Sequence, residues 1–320
     1  MLDRIDMHAH FLPGFYREAL LAAGQDRPDG IRALPAWDEV TALNTMDQLG
    51  IRTAMLSISS PGVHFGETGK AVELARQVNE EAARLVAAHP GRFGFFASLP
   101  VPDIAEAVTE LRYALDVLGA DGIVLATHQH GVYLGNRRLE PIYAEIAARS
   151  SALFIHPTAP LCFDELALGY PAPLLEFMLD TTRSIADLVL SGVLTNHPGL
   201  TVIVPHAGAA LPVLVNRLDL LAPVLVGGDE RPVPSVRRAM RRLHFDLAGA
   251  PVEEQLQALL AVADPRHVHY GSDYPFTRAS ACGALATQLE TTAVLTGPQR
   301  RQIFTDNALS LFPRLARTQS

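Results

Sequence analysis

Eight short apolar runs alternate with segments of helical periodicity along almost the whole chain, and this alternation restricts the possible folds most strongly. The candidate strands are Arg4–His8, Thr53–Ile58, Phe93–Leu99, Gly122–Ala126, Ala152–His156, Thr201–His206, Leu243–Leu247 and Val268–Gly271. Eight strand–helix repeats predict an α/β protein with a parallel (β/α)8 TIM barrel. An open doubly wound sheet is the alternative, but the glycine-rich turn typical of its first strand is missing from the sequence.

Potential metal ligands stand at the ends of four of these strands. His8 and His10 end the first strand, His156 the fifth and His206 the sixth, and Asp273 follows the eighth. The carboxyl ends of all strands of such a barrel meet on one face, where the chemistry takes place. Residues i and i+2 of a strand point to the same side, so His8 and His10 aim at one point. Imidazole and carboxylate groups bind zinc and related divalent metals, so the sequence predicts a catalytic metal site with one open position.

Composition restricts the class of protein further. With 320 residues, 48% of them hydrophobic, the chain can form a single domain over residues 1–320. A net charge of −8 argues against nucleic acid as a partner, because phosphate binding needs a basic face. We recognise no signal peptide and no apolar run of ~18 residues, and therefore expect a cytoplasmic protein that does not bind membranes.

Four motifs at the strand ends resemble those of the amidohydrolase superfamily. They are His8-Ala9-His10, Phe154-Ile155-His156-Pro157, Pro205-His206-Ala207-Gly208 and Gly271-Ser272-Asp273-Tyr274-Pro275. The closer resemblance is to the decarboxylase branch, which includes aminocarboxymuconate semialdehyde, γ-resorcylate and 6-methylsalicylate decarboxylases. Met46–Arg52 and Ser59–Phe65 are most similar to the 6-methylsalicylate decarboxylase group. The resemblance runs from Arg4 to about Pro313 and implies a barrel of the amidohydrolase type.

The resemblance also implies a set of site residues. It implies one divalent metal ion, zinc in the first place and manganese as the alternative, with the ligands His8, His10, His156 and Asp273. His206 is then a catalytic histidine that binds the metal weakly or not at all.

Two further expectations follow from the same branch. Its members are dimers or tetramers, so we expect a homodimer or homotetramer, with Leu309–Phe312 as a candidate interface. The chain departs from the branch at Ala209, where a second glycine is common, and this changes how closely a substrate approaches the loop.

The lysine content predicts a mononuclear site. Lys70 is the only lysine in the chain, and it lies in a segment of helical periodicity. Binuclear members of the superfamily bridge two metals with a carbamylated lysine after the fourth strand, and Gly122–Thr127 contains no lysine. His128 and His130 repeat the His-x-His spacing, but they lack partners for a second metal.

The expected chemistry is the loss of CO2 from an aromatic ring. A 2-hydroxybenzoate-type acid can bind the metal through its carboxylate and its phenolate. Direct loss of CO2 would leave an aryl anion, so the ring carbon must be protonated first. By electrostatics alone His206 is the better acid, because a metal lowers the pKa of Asp273. The resemblance points to Asp273 with the histidine assisting, so both residues are assigned as catalytic and their order is open.

Five further residues are assigned around the metal. Asp246 ends the seventh strand and is a candidate to hold a ligand histidine through its second ring nitrogen; capping of a loop is the alternative. The candidate substrate contacts are His64, Phe65, Tyr274 and Phe276, which follow the second and eighth strands at the same mouth. Simple packing is the alternative for the aromatic residues.

The sequence therefore predicts a carboxy-lyase, namely a metal-dependent, non-oxidative decarboxylase of a small aromatic acid such as 6-methylsalicylate. The alternative is a mononuclear metallohydrolase that acts on a lactone or an amide. The first enzyme releases CO2 and places solvent deuterium on the ring, whereas the second incorporates water into a carboxylic acid. A metal-binding protein without activity is disfavoured by the open coordination position.

Overall fold

The computed structural model describes residues 3–227, 232–249 and 253–316. Its central element is a sheet of eight parallel strands in chain order, and each strand overlaps a predicted one. The strands are β1 (Arg4–His10), β2 (Ile51–Ser57), β3 (Phe93–Ser98), β4 (Gly122–Ala126), β5 (Ala152–His156), β6 (Thr201–Val204), β7 (His244–Asp246) and β8 (Val268–His269). The predicted (β/α)8 barrel is thus confirmed. A short hairpin, in which His128–Gln129 pairs with Val132–Tyr133, was not predicted.

Helices cover the outside of the barrel. They are α1 (Gly14–Ala22), α2 (Glu39–Leu49), α3 (Thr68–Ala88), α4 (Ile104–Asp116), α5 (Glu140–Ala148), α6 (Phe163–Leu166), α7 (Glu176–Leu190), α8 (Val193–Asn196), α9 (Leu211–Leu225), α10 (Val236–Met240), α11 (Glu253–Leu260), α12 (Ala279–Thr291), α13 (Gly297–Arg301) and α14 (Asn307–Leu311). In α3 the buried residues Leu74, Val78 and Leu85 recur at helical spacing and face the strands. None of the helices in the described ranges has the length and hydrophobicity of a membrane span.

The barrel closes between β1 and the chain that continues from β8. The backbone N–H of Met7 donates to the Tyr270 carbonyl (2.9 Å), and that of Asp273 donates to the His8 carbonyl (2.7 Å). Farther along, the N–H of His10 donates to the carbonyl of Tyr274 (2.8 Å). This pairing places Asp273 beside the two histidines that end β1.

A register shift in β1 turns both histidines towards the barrel axis. Ile5 and Met7 pack in the interior of the barrel, so strict alternation would place His8 and His10 on the outside. The pairing with β2 shifts by one residue between Asp6 and Ala9, as in a β-bulge, and this shift restores the inward direction at His8. One carboxylate oxygen of Asp6 accepts from the backbone N–H of His8 (3.1 Å) and stabilises the bulge.

The end of the barrel opposite the strand carboxyl ends is filled by apolar side chains. Phe96 stacks on Phe154 with ring centroids 5.0 Å apart, and Phe312 approaches Phe96 to 6.0 Å. Leu309 and Leu311 pack against the same cluster. The segment Leu309–Phe312, which the sequence suggested as an interface between subunits, therefore belongs to the core of the barrel.

Three histidines form a stack at β7 and β8. The His244 ring lies 4.1 Å from that of His267 and 5.1 Å from that of His269, measured between centroids. Burial lowers the pKa of His244 to about 3, and the neighbouring His267 adds to this effect. Burial also lowers the pKa of His269 well below its ordinary value. The folded protein therefore holds both imidazoles neutral near pH 7.

We expect acid to destabilise the fold through this stack. Below an ordinary histidine pKa of about 6.5 the unfolded chain binds two protons that His244 and His269 do not bind in the folded protein, so the free energy of unfolding should fall by roughly 2 kcal/mol per pH unit between pH 6 and 5. Urea unfolding at a series of pH values measures the slope. A His244→Asn variant, which cannot titrate, should show a shallower slope, and a slope equal to that of the wild type would contradict this account.

Candidate active site

Three imidazoles and one carboxylate meet at the carboxyl ends of β1, β5 and β8. One ligand atom from each of His8, His10, His156 and Asp273 lies within 4.8 Å of all the others. His10 Nε2 is 3.1 Å from His8 Nε2 and 3.1 Å from Asp273 Oδ1. Atoms bound to one ion through bonds of roughly 2 Å need this mutual spacing, so the four side chains fit a single metal ion.

The hydrogen bonds of the three histidines fix their orientation. Each Nδ1 faces an acceptor: Asp246 Oδ2 at 3.0 Å from His8, Ser57 O at 3.2 Å from His10, and Pro157 O at 2.7 Å from His156. When Nδ1 carries the proton and donates it, the lone pair of Nε2 is free and points at the shared centre. This is the tautomer that a metal-binding histidine needs.

The charges at the centre also favour a cation. Burial opposes ionisation of Asp273, but the hydrogen bond from His10 and the nearby His8 hold the pKa of its carboxyl well below the usual range. Asp246 is buried as well, and His8 lowers its pKa in spite of that burial. Burial lowers the pKa of His10 and His156, so both rings are neutral. Burial opposes a charge on His8, but Asp246 raises the pKa of His8 to about 9, so this ring carries a positive charge between the two carboxylates when no metal is bound. A divalent ion at the centre would take the place of the proton.

His206 stands next to this cluster without joining it. It lies in the 3-10 turn His206–Gly208 after β6, and its ring centroid is 5.1 Å from that of His8. Its Nδ1 is buried and has no hydrogen-bond partner among the described residues. Burial lowers the pKa of His206 to about 4, and the neighbouring His8 contributes to the shift. A neutral imidazole with a free nitrogen is thus available to a bound molecule.

A cavity of about 650 Å³, the main cavity, opens above these groups. His156, His206 and Asp273 lie on its floor, and Phe177 and Phe276 stand in its wall. The Phe276 ring lies 5.5 Å from that of His10. The volume of the main cavity, with aromatic side chains in its wall and polar groups on its floor, is typical of sites for small molecules.

Sequence reasoning missed several residues of the main cavity. Arg32 lies in the long loop after β1, Arg278 precedes α12, and Met178 lies on α7. Ser59 follows β2, and its Oγ is 3.4 Å from His156 Nε2. Of these residues, Arg278 is the one whose place near the site the sequence could have indicated, because it follows the predicted metal ligand Asp273 by five positions in the same loop.

The structure corrects three of the four assigned substrate contacts, since of these residues only Phe276 lines the main cavity. His64 turns away, and its Nδ1 lies 2.9 Å from His130 Nε2. Phe65 faces a separate pocket between α1 and α3. Tyr274 lies outside the lining of the main cavity: its hydroxyl is 3.5 Å from Thr45 Oγ1, and the backbone turns at Asp273, whose φ is 60°.

Lys70 lies on α3, away from the metal-ligand cluster. Its side chain is 77% exposed and pairs with Glu67 (2.9 Å) on the same helix. It is therefore not placed to bridge two metals.

A substitution of Asp246 tests whether the cluster of His8, His10, His156 and Asp273 binds a metal ion. Asp246→Asn keeps the shape of the side chain but removes the charge that faces His8 Nδ1, so we expect metal affinity to fall by about 10–100-fold. Competition with a chelator measures this affinity. Asp26→Asn, at a side chain that is 67% exposed, is the matched control and should bind metal like the wild type. Equal affinity in all three proteins would show that Asp246 does not support the site.

The turn that carries His206 contains a second testable feature. Ala209 has φ 54° and ψ −125°, a conformation that glycine adopts readily and alanine does not. We expect Ala209→Gly to raise the free energy of unfolding by about 1 kcal/mol, because relief of backbone strain exceeds the added entropy of the unfolded chain. Ala210→Gly is the control: Ala210 has φ −90°, so its replacement should destabilise the protein. Denaturant unfolding compares the three proteins. If A209G were less stable than the wild type, the backbone at Ala209 would not be strained.

Comparisons with known proteins agree with this architecture. A family model described as amidohydrolase matches residues 5–314. The 6-methylsalicylic acid decarboxylase of Aspergillus aculeatus is 37% identical over 327 residues, which cover 99% of this chain and 98% of the relative.

Solved structures show the same fold. The crystal structure of an amidohydrolase II superposes with a TM-score of 0.91 at 35% identity, covering 96% of this chain and 99% of that one. A 2,6-dihydroxybenzoate decarboxylase crystallised with 2,6-dihydroxybenzoate gives a TM-score of 0.81 at 25% identity, with 98% and 100% covered. The family match spans nearly the whole chain, and we conclude that this protein belongs to the amidohydrolase family.

Proposed function

We propose that this protein is a metal-dependent, non-oxidative decarboxylase of a small aromatic acid of the 2-hydroxybenzoate type, such as 6-methylsalicylate. The observation that carries the proposal is the meeting of three oriented imidazoles with Asp273 at a point where His156 and Asp273 line the main cavity. The substrate class is supported by the 37% identity with a 6-methylsalicylic acid decarboxylase over nearly the full length of both chains.

We propose His8, His10, His156 and Asp273 as the ligands of one divalent ion, with zinc ahead of manganese because imidazole ligands predominate. A bound divalent ion supplies a Lewis acid and a template for the carboxylate and phenolate oxygens of the substrate. Asp246 orients His8, as its 3.0 Å contact with Nδ1 indicates.

Two residues are proposed to handle the proton that the ring carbon must receive. His206 faces the main cavity with a buried and unpartnered Nδ1. Asp273 turns Oδ1 towards His10, whereas its Oδ2 accepts from the hydroxyl of Thr277 (3.2 Å). Oδ2 is therefore the oxygen on which Asp273 can carry a proton while Oδ1 serves as a ligand. The aromatic ring of the substrate would pack against Phe276.

We further propose that copies of this chain associate, as a homodimer or a homotetramer. Several large apolar side chains from just before α6 to the start of α7 are 40–83% exposed: Leu161, Leu166, Leu168, Tyr170, Leu174, Leu175 and Leu179. Exposed apolar surface of this extent is typical of interfaces. Leu174 also lines the main cavity, so a second copy seated here would border the entrance.

We also propose that residues 1–320 form one domain and that the protein is located in the cytoplasm.

The test is turnover of 2-hydroxybenzoates in D2O by the metal-loaded protein. We expect CO2 release, with one deuterium placed on the ring carbon that carried the carboxylate. His156→Ala should lose both bound metal and turnover. His206→Asn should keep the metal and lose about 10²–10⁴-fold in rate, because only the proton-transfer group is removed. Metal content, measured for each variant, separates the two effects. One equivalent of bound metal without CO2 release would favour the hydrolase, which lactone and amide substrates in ¹⁸O-labelled water would detect.

A further inference from the structure

A second, much smaller cavity adjoins the metal-ligand cluster. This side cavity has a volume of about 40 Å³ and lies under the loops after β2 and β4. Its wall consists chiefly of apolar side chains, among them Leu99, Val124, Val132 and Leu134. We propose that the side cavity receives the CO2 released in the reaction, a role that rests on the proposed decarboxylase function.

The side cavity begins where the main cavity ends. Both are lined by Ser59, Ser60 and His156, so these three residues form the partition between them. Ser59 Oγ lies 3.4 Å from His156 Nε2, the atom proposed to bind the metal. Ser60 Oγ lies 2.7 Å from Thr158 Oγ1, and this contact ties the partition to the loop after β5. A carboxylate held at the metal is thus next to the side cavity.

Size allows CO2 into the side cavity and excludes the aromatic acid. A single buried water needs roughly 10–15 Å³ of cavity volume, so the 40 Å³ of the side cavity accommodate about three non-hydrogen atoms. The main cavity, at 650 Å³, is large enough for a substituted aromatic ring. The side cavity is therefore suited to a linear triatomic molecule.

Polarity favours the same ligand. CO2 is uncharged and has no net dipole, so it enters apolar surroundings at little cost. A carboxylate or bicarbonate ion would lose its hydration between Val124, Val132 and Leu134 without gaining a charged partner. The polar groups of Ser59, Ser60, Ser98 and Gln129 also line the side cavity, so water can bind there and CO2 would displace it. The side cavity thus selects the neutral product over the anionic substrate.

A cavity that admits CO2 and excludes the aromatic acid would separate the two products of the reaction. The ring carbon first forms a bond to the proton with a π electron pair of the ring. The bond between this carbon and the carboxylate carbon then breaks, its electron pair returns to the ring π system and restores aromaticity, and the carboxylate carbon leaves as neutral CO2. CO2 that remains beside the ring can recombine with it. Movement past Ser59 into the side cavity separates the two products while the phenol still fills the main cavity.

An onward path leads away from the substrate entrance. Val63 is buried and lines the side cavity, and it also lines a pocket of about 350 Å³ between α1 and α3, the outer pocket. The side chains of Ala19 and Leu74 border this outer pocket on the other side. Val63 thus stands between the two spaces and is the residue past which the proposed exit of a small neutral molecule would lead.

Xenon tests the side cavity independently of activity, because xenon binds apolar cavities of this kind. Crystals of the wild type pressurised with xenon should show a xenon atom between Val63, Val132 and His156. Val132→Phe should fill the space and abolish the peak. Val117→Phe, the same change at a residue that is 68% exposed on the surface, should retain it. Absence of xenon from the wild type would overturn the side cavity as a gas site.

The reverse direction tests CO2 as the ligand. Incorporation of ¹³CO2 into the aromatic acid gives one KM for CO2 and one for the phenol. Val132→Phe should raise the KM for CO2 by about tenfold and leave the KM for the phenol unchanged, whereas Val117→Phe should change neither. Val63→Phe serves as a second filling variant should Val132→Phe not fold. An unchanged KM for CO2 in a folded filling variant would overturn the proposal.

The two proposals fail in different ways. Xenon binding in a wild-type protein that releases no CO2 from any aromatic acid would overturn the decarboxylase function, and CO2 as the ligand with it. CO2 release by a protein that binds no xenon would overturn the side cavity alone.

Discussion

The backbone pairing that closes the barrel is the interaction on which the site depends. The Asp273 N–H donates to the His8 carbonyl at 2.7 Å, and this bond holds residues from opposite ends of the chain in contact. Asp273 has φ 60°, so a turn of the backbone directs its side chain at the histidines, and the bond to His8 holds this turn in place. On the other side of β1, the bulge in its pairing with β2 directs His8 and His10 inwards. The geometry of the metal site is thus set by the closure of the fold rather than by a loop.

The same seam collects negative charge in a buried place. Asp6 accepts backbone N–H groups from both sides of it, at 3.1 Å from His8 and 2.9 Å from Ser272. Asp246 contacts His8 from below, while Asp273 faces it from the mouth. Buried carboxylates are stable only when hydrogen bonds or positive charge compensate them. Burial raises the pKa of Asp6 to about 7 in spite of these backbone hydrogen bonds. The positive charge of His8 compensates Asp246 and Asp273, and a cation bound at the imidazoles would take over this role.

Periodicity made the fold predictable, because each strand of this barrel is an apolar run long enough to be recognised between helical segments. The potential metal ligands followed from their position at strand ends. Side-chain direction in loops was not predictable: Tyr274 lies beside Asp273 in sequence but packs against Thr45. His64 pairs with His130, a contact between two loops that no local pattern encodes. Arg32 reaches the main cavity through tertiary folding of the long loop after β1, for which the sequence has no signal.

The partition between the two cavities links fold and chemistry. Ala126 at the end of β4 pairs in register with His156 at the end of β5, so the wall that presents a metal-binding imidazole on one side is continuous with apolar β4 residues on the other. A decarboxylase must hold an anion tightly before bond cleavage and release an uncharged molecule after it. One surface cannot favour both species, because groups that stabilise a carboxylate offer nothing to CO2. Two spaces that share His156 meet both demands, because Arg32, Asp273 and Arg278 line the main cavity and no Asp, Glu, Lys or Arg lines the side cavity among the described residues.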